Sequence, residues 1–124
     1  MNFAVLTSGR QDWGIVRSTC AALRSHRSLH LSLWAGGMHE SATFGMTVKE
    51  LEADGFAVDE HLQWLEKGDM PATVQAARAL EAIGGTLTRR RPDALLLVGD
   101  RLETAAAALA ATLCATPVIH LHGG

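Results

Sequence analysis

Two short segments of this 124-residue sequence carry residue types suited to a phosphorylated substrate. In Thr7-Ser8-Gly9-Arg10 a glycine follows a short apolar run, so the backbone can turn tightly and the next helix can offer unpaired amides to an anion. Arg10 adds a cation able to hold a phosphate through two parallel hydrogen bonds. No G-x-G-x-x-G or Gly-Lys-Ser/Thr follows, so an ordinary strand-to-helix turn with a solvated arginine fits this segment equally well. The second segment, Gly99-Asp100-Arg101, closes the most apolar run of the chain. A carboxylate at that point is costly to desolvate unless hydrogen bonds or Arg101 meet it. It could instead cap the following helix, and a capping carboxylate can still face a crevice. Glu103 reads as first-turn helix charge.

Two further clusters contain histidine. His120 and His122 stand at i and i+2 of a strand and so share one face. Two imidazoles with no third ligand cluster and no CxxC do not make a metal site, so none is expected. Hydrogen bonding or proton transfer suits them better, with a neutral core position as the alternative for His120. His39, in Met38-His39-Glu40, is a candidate ligand contact or simple loop decoration.

The elements that must position these groups alternate along the chain. Phe3 to Leu6, His30 to Ala35, Asp93 to Val98 and Pro117 to Leu121 read as strands, the first apolar on both faces and so of the buried kind, the third the strongest of the chain. Phe56 to His61, poorer in apolar residues, reads as an edge strand. Thr7 to Gly14 reads as a loop before a helix whose inner face carries Ile15, Val16, Cys20, Ala22 and Leu23. A short helix is expected over Thr47 to Ala53. A long one begins near Asp69 as cap, with Pro71 in its first turn, and runs through Val74, Ala77, Leu80, Ile83 and Leu87 to Pro92. The pair Gly84-Gly85 predicts a kink or a close packing contact, and an alanine-rich helix follows Arg101. This β-α repetition predicts a Rossmann-like, doubly wound parallel α/β sheet in the order 3-2-1-4-5. Its switch point lies between the first and fourth strands, where ligands bind, and that choice picks out Arg10 and Asp100.

Five segments in collinear order resemble the hydrolysing UDP-N-acetylglucosamine 2-epimerases of sialic and related nonulosonic acid pathways. They are Thr7 to Gly14, Gly37 to Ser41 with Phe44 to Thr47, Glu52 to Phe56, Gly99 to Glu103, and His120 to Gly124. The resemblance implies residues 1–124 as the N-terminal half of a GT-B-like, two-domain enzyme with the nucleotide sugar bound between the domains. It implies conversion of UDP-N-acetylglucosamine and water to N-acetylmannosamine and UDP through a 2-acetamidoglucal, with no cofactor. Asp100 and His122 then become the catalytic residues, Asp100 as acid or base and His122 at the cleft-facing position just before the glycine pair. Gly9, Arg10, Asp12, His39 and Arg101 become substrate-binding positions. The sequence departs from the family pattern at Ser8, usually Thr, and at Gln11-Asp12-Trp13, usually Ala-Glu-Tyr. The acidic and basic residues that follow the paired glycines in the family, and its second domain, lie beyond Gly124. The 124 residues alone are therefore expected to be inactive, and a homo-oligomer is expected at full length.

Composition limits the other classes. Hydrophobic residues make up 48% and charged residues 19%, ordinary for a globular domain. The net charge of −2 gives no electrostatic case for nucleic acid or an anionic membrane. Arg89-Arg90-Arg91 sits where a helix ends and complements its dipole. Cys20 and Cys114, without motif spacing, read as buried thiols of a reducing compartment, and the short apolar N-terminus lacks the basic region of a signal peptide, so a cytoplasmic location is expected. The rival readings are a non-catalytic α/β module that pairs with a partner chain and a response-regulator-like or flavodoxin-like domain. The last lacks paired acidic residues after its first strand.

Overall fold

The computed structural model describes residues 1–41, 47–65 and 69–122. Five parallel strands, β1 (Asn2–Thr7), β2 (His30–Gly36), β3 (Glu60–Leu62), β4 (Ala94–Val98) and β5 (Val118–Leu121), form one sheet in the order β3-β2-β1-β4-β5. This is the expected order. The helices are α1 (Arg10–Ser25), α2 (Val48–Ala53), α3 (Ala72–Arg90) and α4 (Leu102–Leu113).

Strand alternation sorts the core into two layers. Val5, Leu33, Ala35, Leu96 and Val98 face one side, where they pack with Trp13, Val16 and Cys20 of α1, Val48 and Leu51 of α2, and Phe56. Ala4, Leu6, Trp34, Leu95 and Leu97 face the other, against Ile83 and Leu87 of α3 and the Ala107, Ala110 and Ala111 stripe of α4. All five residues of β4 are buried, which is why that run is apolar without alternation. The reversal of helix side between β1 and β4 opens the crevice at their carboxyl ends.

Several local expectations change. Helix α1 begins at Arg10, so Asp12 and Trp13 belong to its first turn and not to a loop. Ile15 and Ala22 point to solvent, and Trp13 takes the inner-face place expected for Ile15, with its ring edge on Phe56 at 5.1 Å and its indole N–H donating to Asp54 at 2.7 Å. Strand β3 starts at Glu60; Phe56 has left the edge strand for the core. Pro71 occupies the cap position of α3, so Asp69 does not cap it, and Val74 and Ala77 are exposed. A side chain at Gly84 or Gly85 would meet nothing within 4 Å, so neither glycine marks a close helix contact. Arg89 and Arg90 do lie in the last turn of α3, where both also pair with Glu60 of β3.

Gly36 serves a close approach. A Cβ there would fall 2.4 Å from the ring of buried Trp64, which lies over the carboxyl end of β2. Cys20 is buried among apolar side chains, which push its thiol up to about 12, so it is an inert core group. Strand β5 forms the far edge, and Val118, Ile119 and His120 are exposed.

Candidate functional site

The carboxyl ends of β1, β2 and β4 bring three turns together. The first, Ser8-Gly9, passes into α1; the second is a 3-10 turn, Gly37–Glu40; the third, Gly99-Asp100-Arg101, passes into α4. Between them lies a cavity of about 290 Å³ lined by Arg10, Gln11, Met38, Thr47 and Arg101. The N-termini of α1 and α4 supply helix-end amides at the same sheet end, a setting that favours anions.

The two arginines reach this cavity in different states. Arg10 has its side chain 70% exposed and pairs with Glu50 at 2.8 Å. A surface pair of that kind is worth about 1 kcal/mol or less, so a ligand phosphate can take the guanidinium over at little cost. Arg101 is held. Its Nη2 donates to Asp12 Oδ2 at 2.7 Å and to Ser8 Oγ at 2.9 Å, and its Nε lies 3.6 Å from Glu103. Asp12 Oδ2 also accepts from the Ser8 amide at 3.0 Å and its hydroxyl at 2.8 Å. Gly9 has an extended φ of −174°, so it is not a left-handed turn residue. A Cβ there would crowd the Met38 methyl at 2.9 Å and stand in ordinary contact with Arg101 Nη1 at 3.4 Å, so both side chains pack closely over this turn.

His39 is fully buried. Its Nε2 lies 2.9 Å from Thr7 Oγ1 and its Nδ1 2.8 Å from Thr47 Oγ1, so it ties the end of β1 to the start of α2. Burial pulls its pKa down to about 4, and it is neutral at pH 7. It therefore influences a ligand only through the turns it ties together. Its neighbour Glu40, also buried, accepts a hydrogen bond from His61 Nδ1 at 2.6 Å.

Asp100 stands apart from this network. Gly99, with φ of +85°, takes the left-handed turn that glycine allows, and Asp100 follows it into solvent. The N-cap of α4 is Arg101, without a side-chain cap, so Asp100 does not fill the capping role open to it from sequence. Among the described residues its carboxylate has no hydrogen-bond or ion-pair partner. On neighbouring β5, His120 Nε2 donates to the Gly99 carbonyl at 2.5 Å, which fixes that tautomer and stiffens the turn. His122 is exposed with a left-handed φ of 54°. Asp100 and His122 thus follow adjacent strands at the same sheet end, but neither lines the 290 Å³ cavity. Sequence reasoning did not single out Thr47 or Ser8 as members of the site; Thr47 bonds His39 eight residues away, and Ser8 donates to Asp12 four residues on, across the start of α1.

Among the described residues no group of three metal-binding side chains occurs, and no helix is long and apolar enough to cross a membrane. The profile of the UDP-N-acetylglucosamine 2-epimerase family matches residues 21–124. The chain belongs to that family. A relative from Legionella pneumophila, a hydrolysing UDP-N,N'-diacetylbacillosamine 2-epimerase, is 36% identical over 96% of this chain and 32% of its own length. The GDP/UDP-N,N'-diacetylbacillosamine 2-epimerase of Campylobacter jejuni is 28% identical over 97% of this chain and 32% of its own. The chain thus spans about a third of the length of these epimerases. Among solved structures, the UDP-GlcNAc 2-epimerase of Neisseria meningitidis bound to UDP-GlcNAc superposes with a TM-score of 0.84 at 20% identity, over 97% of this chain and 31% of that one. Over about a third of their length, these solved epimerases share the parallel α/β fold found here.

Proposed function

We propose that this chain is the N-terminal domain and half-site of a hydrolysing 2-epimerase that acts on a UDP-linked 2-acetamido sugar. The observation that carries the proposal is Asp100: an exposed carboxylate with no partner among the described residues, at the switch point, next in sequence to Arg101, which with Arg10 lines the cavity. A carboxylate without a structural partner is free to exchange protons with a substrate. Cations and helix-end amides at the same sheet end suit a departing diphosphate.

In the proposed reaction the proton at C2 goes to a base and the C1–O bond breaks with its electron pair leaving on UDP. The resulting 2-acetamidoglucal then takes hydroxide at C1 and a proton at C2 from the opposite face. Asp100 serves as an acid-base group in this sequence, Arg10 and Arg101 meet the diphosphate, and His122 faces the cleft from the end of β5. The rest of the nucleotide pocket comes from a second domain, in keeping with relatives about three times as long.

UDP-N-acetylglucosamine is the first substrate to test. The 36% identity to a diacetylbacillosamine enzyme makes the 2,4-diacetamido sugar nucleotide the second. The full-length protein, given each in turn, is expected to release UDP and a free sugar inverted at C2. Release of UDP from neither would refute the proposal.

A further inference from the structure

The turns after β1 and β4 are bound to each other by side chains 89 and 93 residues apart in sequence. One oxygen, Asp12 Oδ2, accepts all three bonds from Ser8 and Arg101. Ser8 has a single hydroxyl proton, and Asp12 at 2.8 Å takes it in preference to Glu103 at 3.3 Å. The Asp12 side chain is only 8% exposed and does not line the cavity. Its other oxygen faces the Gly99 backbone, 3.9 Å from where a Cβ would stand. Asp12 is therefore out of a ligand's reach. Arg101 is not: it lines the cavity, and its Nη1, lying over Gly9, has no hydrogen-bond partner among the described residues. A guanidinium fixed along one edge presents its other edge at a set position and angle, and little side-chain entropy is left to lose when an anion binds.

We propose that Asp12 is a positioning residue: it holds Arg101 across Gly9 so that the Nη1 edge stands ready as the fixed anion contact of the cavity, while the Arg10–Glu50 pair supplies the adjustable one. This rests on the reading of the site as a diphosphate-binding half-site, and it assigns Asp12 no contact with substrate.

The test is a double-mutant cycle in the full-length protein, with UDP affinity measured by calorimetry, UDP release from both sugar nucleotides by steady-state kinetics, and a thermal melt of each variant. Asp12→Asn keeps the shape and removes the charge, and Arg101→Met removes the anion contact. Each alone is expected to weaken UDP about 10- to 100-fold, the usual worth of a charge-assisted hydrogen bond. The double variant is expected within about twofold of Arg101→Met alone, because both substitutions remove one interaction. Asp12→Glu, which keeps the charge, should stay within about threefold of the unsubstituted protein. Should Asp12→Asn fail to fold, Ser8→Ala closes the same cycle by removing the hydroxyl that accepts from Arg101 Nη2 at 2.9 Å, and weakens UDP only while Arg101 is present.

Additive losses would overturn the proposal. So would unchanged UDP affinity with a collapsed kcat in Asp12→Asn, which would make Asp12 a catalytic residue, or a loss that merely follows the melting temperature. If the unsubstituted protein neither binds UDP nor releases it, the functional reading fails first, and that is seen before any variant is made.

Discussion

Substitution of Asp100 by Asn separates a chemical role from a structural one. Asn has the same shape and can hydrogen-bond, but it carries no charge and exchanges no proton at neutral pH. The carboxylate is exposed, caps no helix and pairs with no described residue. Its removal should therefore shift stability by no more than about 0.5 kcal/mol, or roughly 2 °C in melting temperature for a domain of this size. If Asp100 moves a proton in the reaction, kcat in the full-length protein should fall by about two to four orders of magnitude, the usual worth of a positioned acid-base group. UDP affinity should hold within about threefold, since Arg10 and Arg101, and not Asp100, line the cavity. Steady-state UDP release, UDP calorimetry and a melt on one preparation give all three numbers. Near-normal turnover would refute the acid-base assignment, and a large drop in melting temperature would mean that Asp100 has a structural partner.

Other expectations follow from packing and burial. Gly36→Ala drives a methyl into the Trp64 ring, whose nearest atom would stand at 2.4 Å; overpacking of this kind costs about 1–3 kcal/mol and should lower the melting temperature by about 5–10 °C in a thermal scan. His39 has a folded pKa of about 4 against an ordinary 6.5, so as pH falls the unfolded chain takes up the proton first. Its contribution is constant above about pH 7 and stability is lost as pH falls through the 6.5-to-4 window, by up to about 3 kcal/mol, a loss that urea titrations should find smaller in His39→Gln. The isolated 124-residue chain should release no UDP and should self-associate in light scattering, since Leu113 is 71% exposed, Leu109 49%, and Val118 and Ile119 about 40% along α4 and β5.

The sheet order was legible because β4 is a run of five buried residues with no alternation and strands alternate with helices along the whole chain. The crossover from α1 and α2 on one face to α3 and α4 on the other then follows from the right-handed rule. The adjacency of the turns that carry Arg10 and Asp100 was legible for the same reason: topology alone places the turns after β1 and β4 side by side. The start of α1 was not. Arg10, Gln11 and Asp12 look like a polar loop, and they enter the helix because Asp12 folds back onto the Ser8 amide and meets Arg101. Pairs separated by 89 residues leave no local pattern, so Asp12 read as a ligand contact when its partners lie within the protein. Ile15 and Trp13 exchanged places for a related reason: only the packed structure reveals that Asp54 waits for the indole N–H. His39 read as a possible ligand contact, and nothing local indicated that Thr7 and Thr47 would enclose it.

The central claim, hydrolytic inversion at C2 by a glucal route, is tested most directly by running the full-length protein in deuterium oxide with UDP-N-acetylglucosamine and with its 2,4-diacetamido counterpart. Proton NMR then follows C2. The account predicts free UDP together with a free sugar of inverted C2 configuration that carries one deuterium at that carbon. A sugar that keeps its C2 hydrogen, or an inverted sugar still attached to UDP, would contradict it.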